Sequence, residues 1–306
     1  MKKSTPNSLW IVLLIALMAA CASAPQKAPG IDTFVRSLKG EVIRQINRDR
    51  AQYGLSPVAY DELAAMVGDW HCRKMLAEGY VSHWDRRGTK PYYRYAQRGG
   101  NDFHAENISF SKFSSSDPTA HINVRQTILR DHAKMLGEQP PNDGHRRTIL
   151  NPHHTHVGIG LAFDQHRVVM AQEFLSRYVR FDPSPLRKAK LKDRVEVSGY
   201  VLDAGHRVRS ITVLYEPLPP PMSVEALNRT ASYTLPKKRR DLLQRLDGNK
   251  IYEDGSKGDI VIKGRKFRSP IPFFKGEEGI YTVVVWISDE KGQPIPASNV
   301  SIRVTR

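Results

Sequence analysis

The fold of this chain is decided by three short strings: Val81-Ser82-His83-Trp84, Ala105-Glu106-Asn107-Ile108 and Gly144-His145-Arg146-Arg147-Thr148-Ile149-Leu150. Each string places an imidazole or a carboxylate beside small or apolar residues that are typical of structural framework. Two histidines and an acid that come together in a fold make a polar site able to hold a cation or to move a proton. Taken singly, each of these residues is more often structural than catalytic. The inference therefore depends on all three meeting in one place.

Together with Val157-Gly158-Ile159-Gly160, the three strings resemble the CAP superfamily. This superfamily comprises the cysteine-rich secretory, antigen 5 and pathogenesis-related proteins, and the likeness is to its cysteine-poor bacterial branch. The resemblance implies an α+β fold, a CAP-type α/β/α sandwich with a central cavity lined by two histidines and two acids. Matched string by string, His83 and His145 take the places of the cavity histidines, and Glu106 takes the place of the first acid.

The fourth cavity position has no secure match. The family places its second acid on the helix before the Gly-His string, where this chain offers Asp131, His132 and Glu138. His132 shares a helix face with Ile128 and Met135 and is expected to point inward. It is either a third cavity imidazole or a core histidine satisfied by its neighbours, and the core alternative is favoured.

Glu138 is the other candidate for this position, and it can instead pair with Arg146 or Arg147. Zinc or another divalent cation would take His83, His145 and Glu106 as ligands and leave one position open.

Three functions stay open at this stage. The favoured one is a binding module for a lipid or a wall-derived ligand. The second is a metal-assisted hydrolase with His145 or Glu106 as general base, because the chain has neither a Gly-x-Ser-x-Gly elbow nor a His-Glu-x-x-His pair. The third is a structural envelope protein that grips anionic polymers. Whether the protein is an enzyme is left uncertain, and binding is preferred.

The first 21 residues have the features of a lipoprotein signal peptide. Lys2 and Lys3 are followed by the apolar run Leu9–Ala20, and the run ends in a lipobox at Cys21. We expect Cys21 to be lipidated, which would anchor the protein in the membrane of a bacterial cell envelope, at the outer membrane or in the periplasm. Residues 22–30 are expected to form a flexible tether.

Charge and cysteine content restrict the partners. The net charge of +16 favours anionic surfaces such as phospholipid head groups or acidic wall polymers. No nucleic-acid partner is expected, because the chain shows no zinc-finger spacing and no recognition-helix pattern. The chain has two cysteines, so once Cys21 is lipidated only Cys72 remains and no internal disulfide can form.

The chain divides into two domains near residues 182–187. In the CAP domain, residues 31–182, apolar spacing predicts a helix from Ile31, a second helix capped by Asp61 and a third over residues 121–136. Residues 79–118 are expected to be rich in loops. The later segments 158–162 and 168–174 predict a pair of strands.

The second domain, residues 187–306, is predicted to be a small all-β sandwich of the immunoglobulin-like type. Its basic clusters, residues 237–240 and 263–268, are interpreted as solvated loops.

Overall fold

The computed structural model describes residues 30–117, 119–230 and 232–306. The predicted signal peptide with Cys21 lies outside these ranges, as do residues 22–29 of the predicted tether. Within the described ranges, no helix has both the length and the apolar character needed to cross a bilayer.

The helices are α1 Ile31–Gln52, α2 Glu62–Glu78, α3 Pro91–Gln97, α4 Val124–Leu136, α5 Gly144–Ile149 and α6 Val224–Asn228. The strands are β1 Ala59–Tyr60, β2 Phe103–Lys112, β3 His156–Phe163, β4 Arg167–Ser176, β5 Val179–Phe181, β6 Lys188–Lys190, β7 Val195–Val201, β8 Arg207–Glu216, β9 Lys238–Leu243, β10 Val261–Lys263, β11 Lys266–Ile271, β12 Gly279–Ser288, β13 Pro294–Pro296 and β14 Val300–Thr305.

The elements α1 to β4, here called the first module, form an α/β/α sandwich. Its sheet has the order β1-β3-β4-β2, with β1 parallel to β3 and the other pairs antiparallel. One face packs on α1, α4 and α5 through a buried apolar cluster that includes Leu38, Val42, Ile46, Ile128, Ile149, Ile159 and Phe174. Helix α2 covers the opposite face, where Cys72 and Met75 pack against Val169 and Ala171. The α+β class and the α/β/α sandwich predicted from the sequence are confirmed, and β2 lies at an edge of the sheet.

Helix starts in the first module follow capping chemistry. The Asp61 carboxylate accepts a hydrogen bond from the backbone N–H of Ala64 at 2.7 Å, so α2 begins at the predicted cap. The Asn123 side chain does the same for the N–H of Gln126 at 3.0 Å. Helix α4 therefore begins three residues later than the predicted start at 121.

Two glycines bring α2 unusually close to the sheet. A Cβ added to Gly158 would lie 2.1 Å from the backbone N of Ala65, and one added to Gly160 would lie 2.1 Å from the carbonyl carbon of Gly68. Only glycine fits at such a distance. The close approach fixes α2, and with it the loop that follows and carries His83.

The expectation of a loop-rich stretch over residues 79–118 was wrong in part. It contains α3, which begins with Pro91 at its first turn, and the ten-residue strand β2. Strand β2 was missed because its inward residues are polar: Glu106 lies opposite Glu173, and Asn107 lies opposite Gln172. An apolar alternation, which is the usual signal of a half-buried strand, is therefore absent from its centre.

The elements β5 to β14, here called the second module, form a sandwich of two sheets. One sheet has the order β10-β11-β7-β5 and the other has the order β6-β14-β12-β8-β9, with β13 paired to β12. A single apolar core lies between them. Strand β6 pairs parallel to β14, so the sandwich is not wholly antiparallel. Strand β5 pairs with β7, which places Val179–Phe181 in the second module although the sequence assigned them to the first.

The two basic clusters are strands and not loops. Residues 263–268 belong to the hairpin of β10 and β11, which turns at Gly264 with φ of 59° and buries Phe267. Residues 238–240 begin β9, an edge strand whose lysine and arginine side chains are exposed. The misinterpretation came from reading charge as loop, whereas charged edge strands protect sheets from pairing with other chains.

The connection between β8 and β9 reaches back to the first module. We call this segment, residues 217–230 and 232–237, the strap. It contains α6, whose Leu227 is fully buried in the cluster of Cys72, Met75 and Tyr80. The backbone N–H of Met222 also donates to the carbonyl of Arg86 at 3.0 Å. The two modules therefore share an apolar cluster.

Candidate ligand site at the edge of the first sheet

His83 and Glu106 form the first half of the candidate site. His83 follows α2 on the loop that the glycine contact fixes, and its Nδ1 lies 2.9 Å from Glu106 Oε1. The other oxygen of Glu106 bonds the guanidinium of Arg94, and the Arg94 and Glu106 side chains are fully buried. A carboxylate on Nδ1 fixes the ring orientation of the histidine and leaves Nε2 as its other polar atom.

Arg94 is a site residue that the sequence reasoning missed. Its Nη1 donates to the carbonyl of His83 at 2.6 Å, so one guanidinium positions both His83 and Glu106. Burial alone would raise the pKa of Glu106, but the charge of Arg94 and the bond to His83 hold that pKa well below its usual range. The signal for Arg94 is a lone arginine among the tyrosines of Pro91-Tyr92-Tyr93-Arg94-Tyr95, a sequence that a helix buries.

Glu173 lies directly across the sheet from Glu106 and has the opposite electrostatic character. Burial and the neighbouring charge of Glu106 raise the pKa of Glu173 well above its usual range, which favours the neutral form of this carboxyl. Its Oε2 lies 2.8 Å from Nε2 of His104, and burial lowers the pKa of His104 to about 3. At Glu106 the surroundings therefore stabilise the charged form, whereas at Glu173 and His104 burial favours the neutral form.

His71 braces the loop from behind. Its Nε2 donates to the carbonyl of Ser82 at 2.8 Å, and burial lowers its pKa to about 3. The backbone on either side of His83 is thus held by His71 at one carbonyl and by Arg94 at the next.

His145 and Glu138 form the second half of the candidate site. The Nδ1 atom of His145 lies 2.5 Å from Glu138 Oε1, and the other oxygen of Glu138 accepts the backbone N–H of His145 at 2.9 Å. The expected side-chain pairing of Glu138 with Arg146 or Arg147 is not observed, and Arg146 meets Glu138 through its backbone N–H, at 3.4 Å. The guanidinium of Arg146 donates to the Leu136 carbonyl, and that of Arg147 lies 3.3 Å from Asp143. Glu138 instead orients His145, as Glu106 orients His83.

His132 does not join the site, so the alternative of a third cavity imidazole is wrong. It is buried, with Nε2 at 2.8 Å from Asp49 Oδ2 and Nδ1 at 3.0 Å from the Gln172 amide. Both ring nitrogens are therefore engaged, and His132 is a core histidine satisfied by its neighbours. Burial lowers its pKa.

The two imidazole–carboxylate pairs lie on opposite sides of the edge strand β2. The side-chain amide of Asn107 donates to the carbonyl of His145 at 3.2 Å, which brings the start of α5 to the residue that follows Glu106. Successive residues of a strand point to opposite faces, so Glu106 faces α2 and α3 whereas Asn107 faces α4 and α5. The start of α5 therefore meets β2 beside Glu106, from the face opposite to the one that carries the His83–Glu106 pair.

The predicted three-ligand metal site does not form among the residues that the structure describes. No group of three or more histidine, cysteine, aspartate or glutamate side chains there is placed to hold a metal ion. Both oxygens of Glu106 are engaged, one by His83 and one by Arg94, so Glu106 orients a histidine and does not serve as a ligand. A zinc site needs three or four protein ligands, and the arrangement does not supply them. This finding also removes Glu106 as a free general base.

The strap covers the His83 half of the site. The ring centroid of Tyr233 lies 4.9 Å from that of His83, and the Tyr233 hydroxyl accepts the backbone N–H of Glu106 at 2.9 Å. The side chain of His83 is 14% exposed, compared with 34% for His145. One imidazole of the candidate site is thus nearly closed off while the other faces solvent.

The class of protein follows from these features: an α/β/α sandwich domain with a histidine- and glutamate-bearing site at a sheet edge, joined to a β-sandwich. Residues 43–175 match the family model of the cysteine-rich secretory protein family, CAP. Residues 43–175 therefore carry a CAP-family domain.

Similar proteins occur in several bacteria. The uncharacterized protein YkwD of Bacillus subtilis strain 168 is 23% identical over 158 residues, which are 52% of this chain and 54% of that protein. The chain thus spans about half the length of this curated relative. A solved extracellular SCP-domain protein of Bacillus anthracis is 24% identical over 51% of this chain and 45% of its own, with a TM-score of 0.36. An outer surface protein of Borrelia burgdorferi is 14% identical over 47% of this chain and 95% of its own, with a TM-score of 0.37.

Proposed function

We propose that this protein is a lipid-anchored binding protein of the bacterial envelope, and that its CAP domain holds a ligand at the edge of the first sheet. The observation that carries the proposal is the pair of imidazoles, His83 and His145, each fixed at Nδ1 by a carboxylate. Oriented imidazoles offer a ligand two hydrogen-bonding atoms in set directions. Enzymatic turnover is not part of the proposal.

A wall-derived ligand fits this site better than a lipid. Each imidazole is paired with a carboxylate, His83 with Glu106 and His145 with Glu138. The guanidinium of Arg94 adds a second charge beside Glu106. An acyl chain needs an apolar lining, whereas a polar ligand gains from hydrogen-bond donors and acceptors.

Thermal denaturation in the presence of wall fragments and lipids tests the binding proposal. A ligand at one hundred times its Kd stabilises the folded state by about 2.7 kcal/mol, which gives a measurable rise in Tm. We expect a wall fragment to raise the Tm of the wild type and not that of His83→Ala or His145→Ala. His166→Ala is the matched control, because His166 is an exposed turn residue. An equal rise in all four proteins, or no rise with any compound, would contradict the proposal.

Cation binding stays a prediction with a smaller donor set. Both oxygens of Glu106 are bonded, one to His83 and one to Arg94. Of the three predicted ligands, only the imidazoles of His83 and His145 are therefore left to bind a cation. Calorimetric titration with zinc chloride, on the wild type and on His83→Ala, tests it. Identical titrations would show that His83 takes no part.

The anchor and the charge define the proposed location. Cys21 would carry the lipid, so Cys21→Ser should move the protein from the membrane fraction to the soluble one.

The net charge of +16, with the exposed basic side chains of β9, supports additional attraction to anionic wall polymers. Retention on purified wall material should weaken as salt is raised from 50 mM to 500 mM, because ions screen exposed charges. Retention that ignores salt would argue against this attraction.

A further inference from the structure

The strap crosses the His83 loop as an extended chain. Carbonyl oxygens at alternate positions of the strap accept hydrogen bonds from first-module side chains. They are Thr230 O from Ser82 Oγ at 3.3 Å, Ser232 O from Trp84 Nε1 at 3.3 Å and Thr234 O from Lys90 Nζ at 3.2 Å. The carbonyls of Ser232 and Thr234 point to the same side, as carbonyls two residues apart do in an extended polypeptide.

Side chains of the strap alternate in the same manner. Ser232 and Thr234 are exposed, whereas Tyr233 and Leu235 turn inward and are partly buried. Tyr233 lies against the ring of His83, with its hydroxyl on the Glu106 N–H, and Leu235 packs on the cluster of Tyr92 and its neighbours. The surface that receives these groups, formed by Ser82, His83, Trp84, Lys90 and Tyr92, is here called the strap groove.

Contacts in the strap groove are of two kinds. The carbonyl contacts are independent of sequence, because every residue has a carbonyl. The Tyr233 contact is specific, because it needs an aromatic ring to meet His83 and a hydroxyl to meet the edge N–H of β2. Backbone contacts for affinity combined with one side-chain anchor for specificity are how proteins recognise extended peptides.

We propose that the strap groove is a binding site for extended polypeptide segments with a central tyrosine, and that the strap occupies it within the same chain. This inference rests on the proposed function, since it names the ligand class that reaches His83. The two carbonyl bonds made by Trp84 and Lys90 lie in solvent, so water can replace them when the strap leaves. A partner peptide of this type then binds by displacing the strap, which is a similar segment tethered within the same chain.

Fluorescence anisotropy with a labelled peptide tests the proposal. The peptide is Thr-Ala-Ser-Tyr-Thr-Leu, the sequence of residues 230–235, and its matched control has alanine in place of tyrosine. The proteins are the wild type and Tyr233→Ala. A tethered segment competes at an effective concentration on the order of millimolar, so we expect the variant to bind the tyrosine peptide at least about tenfold more tightly than the wild type. The alanine peptide should bind neither protein.

Labelling of His83 by diethyl pyrocarbonate, mapped by mass spectrometry, shows whether the strap has moved. His145, the more exposed imidazole, is the internal reference. In Tyr233→Ala we expect the labelling rate of His83 to approach that of His145. Tyr233→Leu, which keeps an apolar anchor, replaces Tyr233→Ala if the alanine variant does not fold.

Two results would overturn the proposal. In the first, His83 becomes reactive but the tyrosine peptide binds no better than the alanine peptide, so the groove does not recognise peptides. In the second, His83 stays protected and no peptide binds, so Tyr233 does not anchor the strap. The proposed function fails separately, because the thermal shift depends on His83 and His145 together whereas anisotropy reports on the groove alone.

Discussion

The two imidazole–carboxylate pairs of the CAP domain share a chemistry and differ in their surroundings. In the pair His83–Glu106, the acid is fully buried, bonded to Arg94 and covered by Tyr233. In the pair His145–Glu138, both partners are partly exposed, and they lie seven residues apart at the start of a short helix. The difference teaches that the same histidine–carboxylate contact can be essential for folding at one place and contribute little to stability at another. How deeply the acid is buried decides which of the two applies.

The largest effect is expected from removing the charge of each acid in turn. Glu106→Gln leaves the buried guanidinium of Arg94 without a counter-charge, and we expect it to lower the free energy of unfolding by about 3–5 kcal/mol. Glu138→Gln breaks an exposed pair and should lower it by about 1 kcal/mol or less. Urea denaturation followed by tryptophan fluorescence measures both. Equal losses in the two variants would abolish the distinction.

Lowering the pH should destabilise the protein through the buried histidines around the His83–Glu106 pair. Burial lowers the pKa values of His71 and His104 to about 3, against about 6.5 for an unfolded histidine. Between those values the unfolded state binds more protons, so stability is complete above pH 6.5 and falls as pH drops toward 3.

The slope is up to about 1.4 kcal/mol per pH unit for each such histidine. His154, which is buried elsewhere in the first module, has a similarly lowered pKa and adds the same sign. The informative measurement is therefore the difference between wild type and His71→Gln. The variant should lose one histidine's share of the decline between pH 7 and pH 5, and identical slopes would show that His71 is not buried in its neutral form.

The cover over His83 should contribute modestly to stability. Tyr233→Phe keeps the ring against His83 and removes the hydroxyl that accepts the Glu106 N–H. We expect a loss of about 1 kcal/mol in the free energy of unfolding, the usual net contribution of one hydrogen bond. A matched Tyr53→Phe variant removes a hydroxyl that meets Arg146 in solvent, and it should cost less. A larger loss in Tyr53→Phe than in Tyr233→Phe would reverse the ranking of the two sides.

The smallest effect is expected at Glu173. Because burial beside Glu106 favours the neutral form of this carboxyl, Glu173→Gln should replace one neutral group with another of similar shape, and we expect a change within about 0.5 kcal/mol. Glu106 is the cross-strand partner of Glu173. Comparing the stability losses of Glu106→Gln and Glu173→Gln therefore tests most directly which of the two acids carries the charge. A loss of several kcal/mol at Glu173 would mean that it is ionised and paired.

The sequence predicted the sandwich of the first module because its helices carry apolar stripes and their caps are explicit, as at Asp61. It predicted β3 and β4 because each contains a run of apolar residues and glycine, Gly158–Ala162 in β3 and Val168–Ala171 in β4. It missed β2 because the centre of that strand pairs acid with acid and amide with amide. Such pairing makes no hydrophobic pattern, and it is intelligible only once β4 lies beside it.

The sequence predicted the site residues that lie in recognisable motifs, but it missed the residues that hold them in position. His83, Glu106 and His145 stood out in short strings, whereas Arg94 and Tyr233 act through contacts that join distant segments. Tyr233 comes 127 positions after Glu106. No local spacing could relate it to the first module, because the relation is created by the route of the connection between two strands of the second module.

That route has a mechanical consequence. The strap leaves β8 and returns to β9, which are hydrogen-bonded neighbours, so its two ends stay side by side whatever its middle does. An arm tied at both ends can move only as a loop, and moving all of it would expose Leu227, which is buried in the cluster of Cys72, Met75 and Tyr80. Access to His83 is therefore coupled to how firmly this shared cluster is packed.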